Sequence, residues 1–154
     1  MMKRLLLNPA LPLALAMLPM ASLWAAPAGA ATPEAALQVR FEGVKETTGA
    51  VLFLLYDNEQ AYAGATGKPM RSARVPVSAD APSQAVSGLK PGRYAIKAFH
   101  DVDSDGRMSM NPMGMPTEPY GFSNDAEPRF GPAPWSAAAF EVKPGDNAHT
   151  ITLR

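Results

Sequence analysis

The chain contains no cysteine, and that absence removes three possibilities: a lipid-modified N-terminal cysteine, a disulfide framework and a thiolate metal site. Nor does it carry an excess of basic charge. Lys and Arg number 14 and so do Asp and Glu; with Lys3 and Arg4 set aside, the rest holds a net of two negative charges. A nucleic-acid partner requires a clustered basic surface, so none is expected. Histidine occurs only twice, at His100 and His149. There is no Gly-x-Ser-x-Gly elbow and no His-Glu-x-x-His pair, and the chain reads as a non-enzyme. His100 and Asp101 are neighbours, but neighbours on a strand point to opposite faces, so their adjacency is no proton relay. Beyond Ala36 no segment keeps a helical period over three turns, which argues against a helical domain.

Charged side chains are missing altogether between Leu5 and Pro33, directly after the basic pair Lys3-Arg4. A basic start, an apolar stretch and small residues make the pattern of a secretory signal peptide. Ala28-Gly29-Ala30 supplies a small-x-small cleavage site, with Ala26-Pro27-Ala28 as a nearby alternative. The expected division is therefore residues 1–30 as signal peptide and 31–154 as one domain, periplasmic or secreted. An uncleaved anchor needs roughly 20 continuous apolar residues, and Pro9, Pro12 and Pro19 interrupt this run. No membrane-spanning segment is expected in the mature chain. About 124 residues suffice for a single core without disulfide staples.

What the mature part does contain is a series of short strand-like runs punctuated by Gly, Pro, Asn and Asp. Leu37-Gln38-Val39-Arg40-Phe41 alternates as a half-buried strand does. Ala50-Val51-Leu52-Phe53-Leu54-Leu55-Tyr56 is apolar throughout, as in a central strand covered on both faces. Residues 74–77 and 84–86 are shorter candidates. Pro91-Gly92 forms a turn, since proline presets one backbone angle and glycine accepts a positive φ; a strand carrying Tyr94, Ile96 and Ala98 on one face follows. Residues 138–142 and 149–153 flank the turn sequence Lys143-Pro144-Gly145-Asp146-Asn147 and read as a hairpin. About seven such strands predict an all-β fold, a single antiparallel β-sandwich. The Leu89-x-Pro-Gly-x-Tyr-x-Ile96 stretch resembles transthyretin-like and carboxypeptidase-regulatory-like sandwiches, a resemblance that implies binding or connecting roles.

From residue 100 to 131 the strand pattern stops, and loops of this length in compact domains are functional or disordered. Tyr120, Phe122 and Phe130, with Trp135 just beyond, favour an ordered, packed loop. Its opening, Asp101-Val102-Asp103-Ser104-Asp105-Gly106-Arg107-Met108-Ser109, places carboxylates at alternate positions ahead of a glycine. That is the first half of a calcium loop: positions 1, 3 and 5 surround one hard cation and Gly106 permits the sharp turn. Arg107 would contribute its carbonyl oxygen and Ser109 would act directly or through water. The twelfth position, where an EF-hand places a bidentate Glu, is Pro112, so this is no EF-hand; Glu118 is the acid available to swing back and complete the shell. The alternative is a solvated turn whose carboxylates cap their own backbone.

Four of the five methionines beyond residue 30 follow at once: Met108, Met110, Met113 and Met115. Thioethers are soft ligands that select Cu(I), which makes a copper-handling protein a second reading; methionine as loop packing is the other. Residues 114–125 mix turn formers with aromatics, suited to a sugar- or peptide-binding surface or to a lid over the sandwich. A third function class, a hydrolase of envelope glycans, needs two carboxylates at a defined separation, and nothing in the sequence points to such a pair.

Taken together, Pro91-Gly92-x-Tyr94-Ala95, then Phe99-His100-Asp101, then Asp103-x-Asp105-Gly106, then Glu118-Pro119-Tyr120-Gly121-Phe122-Ser123-Asn124 resemble an exported bacterial family known only as a domain of unknown function. The resemblance spans residues 37–153. It implies a periplasmic or secreted location, a β-sandwich and no established activity; the expected partner is an unidentified envelope ligand or protein. Family members often carry Asp where this chain has Ser109, which implies a thinner metal shell here. Positions 108, 113 and 115 are commonly other apolar residues, which implies that these methionines are packing substitutes.

Overall fold

The computed structural model describes residues 34–77 and 81–154; the expected signal peptide and its cleavage site lie outside them. In chain order the elements are β1 (Ala35–Glu42), β2 (Ala50–Tyr56), α1 (Glu59–Tyr62), β3 (Arg71–Pro76), β4 (Ser83–Leu89), β5 (Gly92–Asp101), β6 (Tyr120–Phe122), a 3-10 turn (Ser123–Asp125), α2 (Trp135–Ala138), β7 (Phe140–Val142) and β8 (Gly145–Thr152). Two sheets form, one in the order β4-β1-β8 and the other β3-β2-β5-β6, with β7 also pairing with β5. They pack face to face, and the protein is an all-β sandwich. Among the described residues no helix is long and apolar enough to cross a membrane.

The alternation of residues 37–41 has the expected consequence. Leu37, Val39 and Phe41 are buried, and Gln38, Arg40 and Glu42 are exposed. From the opposing sheet, Val51, Phe53 and Leu55 of β2 and Tyr94, Ile96 and Ala98 of β5 complete the core. The Phe41 and Phe53 rings meet at 5.5 Å between centroids. The outer face of the larger sheet carries a second apolar cluster, covered by the two short helices. There Tyr62 packs against Tyr56 at 5.4 Å and Trp135 at 5.7 Å, and its hydroxyl donates to the Ala133 carbonyl at 2.9 Å. Burial pushes the Tyr62 phenol up from its ordinary range. The double covering expected of β2 is thus supplied by the opposing sheet on one side and by this cluster on the other.

Three expectations require correction. Residues 138–142 and 149–153 form no hairpin: β7 pairs with β5, and β8 crosses to the other sheet. The connecting turn is held by Asn147, which accepts from Lys143 N at 2.9 Å and donates to Lys143 O at 2.8 Å. Second, β8 pairs with β1 in parallel, in continuous register from Ala35↔Gly145 to Glu42↔Thr152, while every other strand pairing described is antiparallel. Third, residues 100–131 are not free of strand. β5 runs on through Asp101, β6 lies within the segment, and Met110 bridges Pro116. β6 also joins the two sheets, because Tyr120 and Arg154 exchange backbone hydrogen bonds of 3.1 and 3.0 Å.

Candidate functional site

Asp101 is the last residue of β5, paired across the ladder with Ala50 of β2. Neighbours on a strand alternate, and the partners of His100 and Asp101 show it. His100 is fully buried and its Nε2–H donates to the Thr48 carbonyl at 2.7 Å, whereas Asp101 reaches Arg74 of β3 and the loop that follows. Gly49 allows the chain to pass here: at φ +74° an added Cβ would collide with the Asp101 carbonyl oxygen.

The loop then curls back on its own carboxylates. Gly106 N donates to Asp101 Oδ2 at 3.2 Å, Asp105 N to Asp103 Oδ1 at 3.2 Å, and Arg107 N to Asp105 Oδ1 at 2.7 Å. Ser104 and Gly106 adopt positive φ, 65° and 77°, and this closes the turn. One carboxylate oxygen from each of Asp101, Asp103 and Asp105 lies within 4.8 Å of the other two. Oxygens that share a calcium ion at about 2.4 Å stand at most about twice that distance apart, so the three acids are gathered at the separation a common ion requires. Asp103 and Asp105 are exposed; Asp101 has 0% exposure.

Asp101 is the chemically unusual member. Its Oδ2 receives Gly106 N–H and the Arg74 guanidinium, with Nη1 at 3.1 Å. Its Oδ1 is buried and receives no donor from the protein. A buried carboxylate oxygen without a partner is expensive, since desolvation is not repaid by a hydrogen bond. Backbone-capping turns explain the bonds made by Asp103 and Asp105 but leave Asp101 Oδ1 unaccounted for.

The remaining expected ligands are placed differently. Glu118 does return to the loop, but it lies outside the group of three gathered carboxylates. It is buried, with Oε1 accepting from Val102 N at 2.9 Å and Oε2 from Ser109 N at 3.0 Å. It clasps the two ends of the Asp-rich turn. Ser109 is held in place by that bond and by accepting from Thr117 N at 2.9 Å; Arg107 is exposed. Met108 lies half-buried within that turn, and the other three methionines sit on the hairpin beyond, where Asn111 Oδ1 accepts from both Met113 N and Met115 N. Met110, Met113 and Met115 are exposed, Met113 at 84%. After Glu118 the chain enters β6, whose Tyr120 and Phe122 line a groove of about 360 Å³ with Asp125, Glu127, Thr152 and Arg154. Sequence reasoning did not anticipate Arg74, which lies 27 positions before Asp101 and is brought to it only by the pairing of β3 with β2 and β2 with β5.

The family described as an uncharacterized protein conserved in bacteria (DUF2141) matches residues 39–151. No curated protein and no solved structure matches.

Proposed function

The chain belongs to this uncharacterised bacterial family, and from that premise we propose that it is an exported, non-enzymatic binding or structural module whose Asp-rich loop is ordered by calcium. The observation that carries the reading is the gathering of one carboxylate oxygen each from Asp101, Asp103 and Asp105, together with an Asp101 Oδ1 that is buried and receives no protein donor. A hard divalent cation takes six to eight oxygens. The three carboxylates would supply its core, with the Arg107 carbonyl and Ser109 as further oxygens and water completing the shell. Glu118 would hold the loop ends, and the ordered loop would present β6 and the groove beside Tyr120 and Phe122. Export rests on the pattern of residues 1–30, and a periplasmic setting suits a weak site of roughly 10⁻⁴ to 10⁻³ M.

The test is thermal unfolding in 10 mM calcium against excess chelator. For a dissociation constant near 10⁻⁴ M the native state gains about 2.7 kcal/mol. For a domain of this size that corresponds to a rise in melting temperature of roughly 10 °C. Asp103→Ala should abolish the rise. Equal melting temperatures with and without calcium would leave the acids as backbone caps alone.

A further inference from the structure

The Asp101 carboxylate already has one cation beside it. Arg74 reaches across β2 from the edge strand β3 and places Nη1 3.1 Å from Oδ2, its own side chain remaining 46% exposed. Resting on the calcium reading above, we infer that Arg74 sets the affinity of the site by holding a fixed positive charge against it. With no ion bound, the guanidinium compensates a carboxylate that would otherwise be buried with little to balance it. With calcium on the same carboxylate, the two cations stand roughly 5–6 Å apart, given an oxygen–calcium distance of about 2.4 Å. Repulsion between a divalent and a monovalent charge at that range, even with solvent-like screening, amounts to about a tenfold penalty on binding.

The same arginine has a positioning role to be weighed against its charge. Asp101 is the end of a paired strand, and its Oδ2 also receives Gly106 N–H. The carboxylate therefore keeps an anchor without the guanidinium, and the charge is the larger effect. Arg74 makes the site respond only at high calcium, and it keeps the loop folded when calcium is low.

Calcium titration of the wild-type protein, Arg74→Gln and Arg74→Lys by calorimetry tests this. Arg74→Gln should bind about tenfold more tightly at low salt, and the gain should shrink in 1 M monovalent salt, where the screening length falls to about 3 Å. Arg74→Lys keeps the charge and should stay within about twofold of wild type. Melting in chelator should fall for Arg74→Gln and recover with calcium. Equal or weaker binding by Arg74→Gln overturns the inference while leaving the calcium site standing, as does a matching weakening in both variants, which marks arginine as a positioning group. No calcium uptake by the wild type overturns both.

Discussion

Replacing Glu118 gives the sharpest test of how the loop is held. Its two oxygens accept backbone N–H groups seven residues apart in sequence, Val102 and Ser109, from a buried position. Hydrogen bonds to a charged acceptor contribute roughly 1.5–3 kcal/mol each. Removing both is offset in part by relief of the carboxylate's desolvation and by water reaching two half-buried amides. The net expected loss for Glu118→Ala is about 2–4 kcal/mol, equivalent to a fall of about 10 °C in melting temperature for a domain of this length. Glu118→Gln keeps one acceptor oxygen and turns an NH₂ toward a second donor, so it should lose at least half as much. Melting followed by circular dichroism reads the total, and hydrogen exchange reads the place: the Val102 and Ser109 amides should exchange faster in both variants. The calcium-induced rise should survive in Glu118→Gln if the residue is a clasp and disappear if it is a ligand. Unchanged melting together with unchanged exchange at those two amides would refute the clasp.

Two further outcomes follow from geometry away from the loop. Gly121→Ala would bring a Cβ to 2.5 Å from the Thr152 carbonyl oxygen and 3.1 Å from Ile151 Cγ2; a backbone atom cannot step aside, so urea denaturation should show a loss of about 3 kcal/mol or more. His149 stacks on Phe140 at 3.9 Å and its Nε2 accepts from Asn124 N at 3.1 Å. Burial lowers its pKa, opposed by the nearby Asp125 carboxylate. A depressed folded pKa means stability present above the unfolded value of about 6.5 and lost as pH falls through the folded one, so melting temperature should drop on acidification below that pH. His149→Gln should flatten that dependence, and parallel profiles for the two proteins would count against the assignment.

Much of the fold was legible because burial writes itself into spacing. The two-residue period of 37–41 and the unbroken apolar run 50–56 became the centres of the two sheets. Pro91 bends the chain directly before the longest strand, but Gly92 is already that strand's first residue and does not take the positive φ expected of it. What spacing does not encode is which strands pair. Lys143–Asn147 has turn composition whether the chain doubles back or crosses between sheets, so the hairpin expectation failed there. α1 and α2 span four residues each, too short for a helical period to emerge; only Asn58, which accepts from Ala61 N, marks a cap. Within the site, Asp101, Asp103 and Asp105 were evident from local alternation, since a tight turn with a glycine brings such residues together. Glu118 was foreseen as returning to the loop, but its backbone partners were not. Arg74 carried no signal, because its approach depends on two successive strand pairings.

The parallel union of β1 with β8 has a mechanical consequence. The strand nearest the N-terminal side of the described domain and the one nearest its C-terminal side lie side by side over eight aligned residue pairs. Tension applied at Ala35 and Thr152 in opposite directions therefore runs along the hydrogen-bonded seam and loads its bonds together, as in a lap joint. A hairpin at the same place would open one bond at a time, like a zipper. The domain is shaped to resist being drawn out by its two ends.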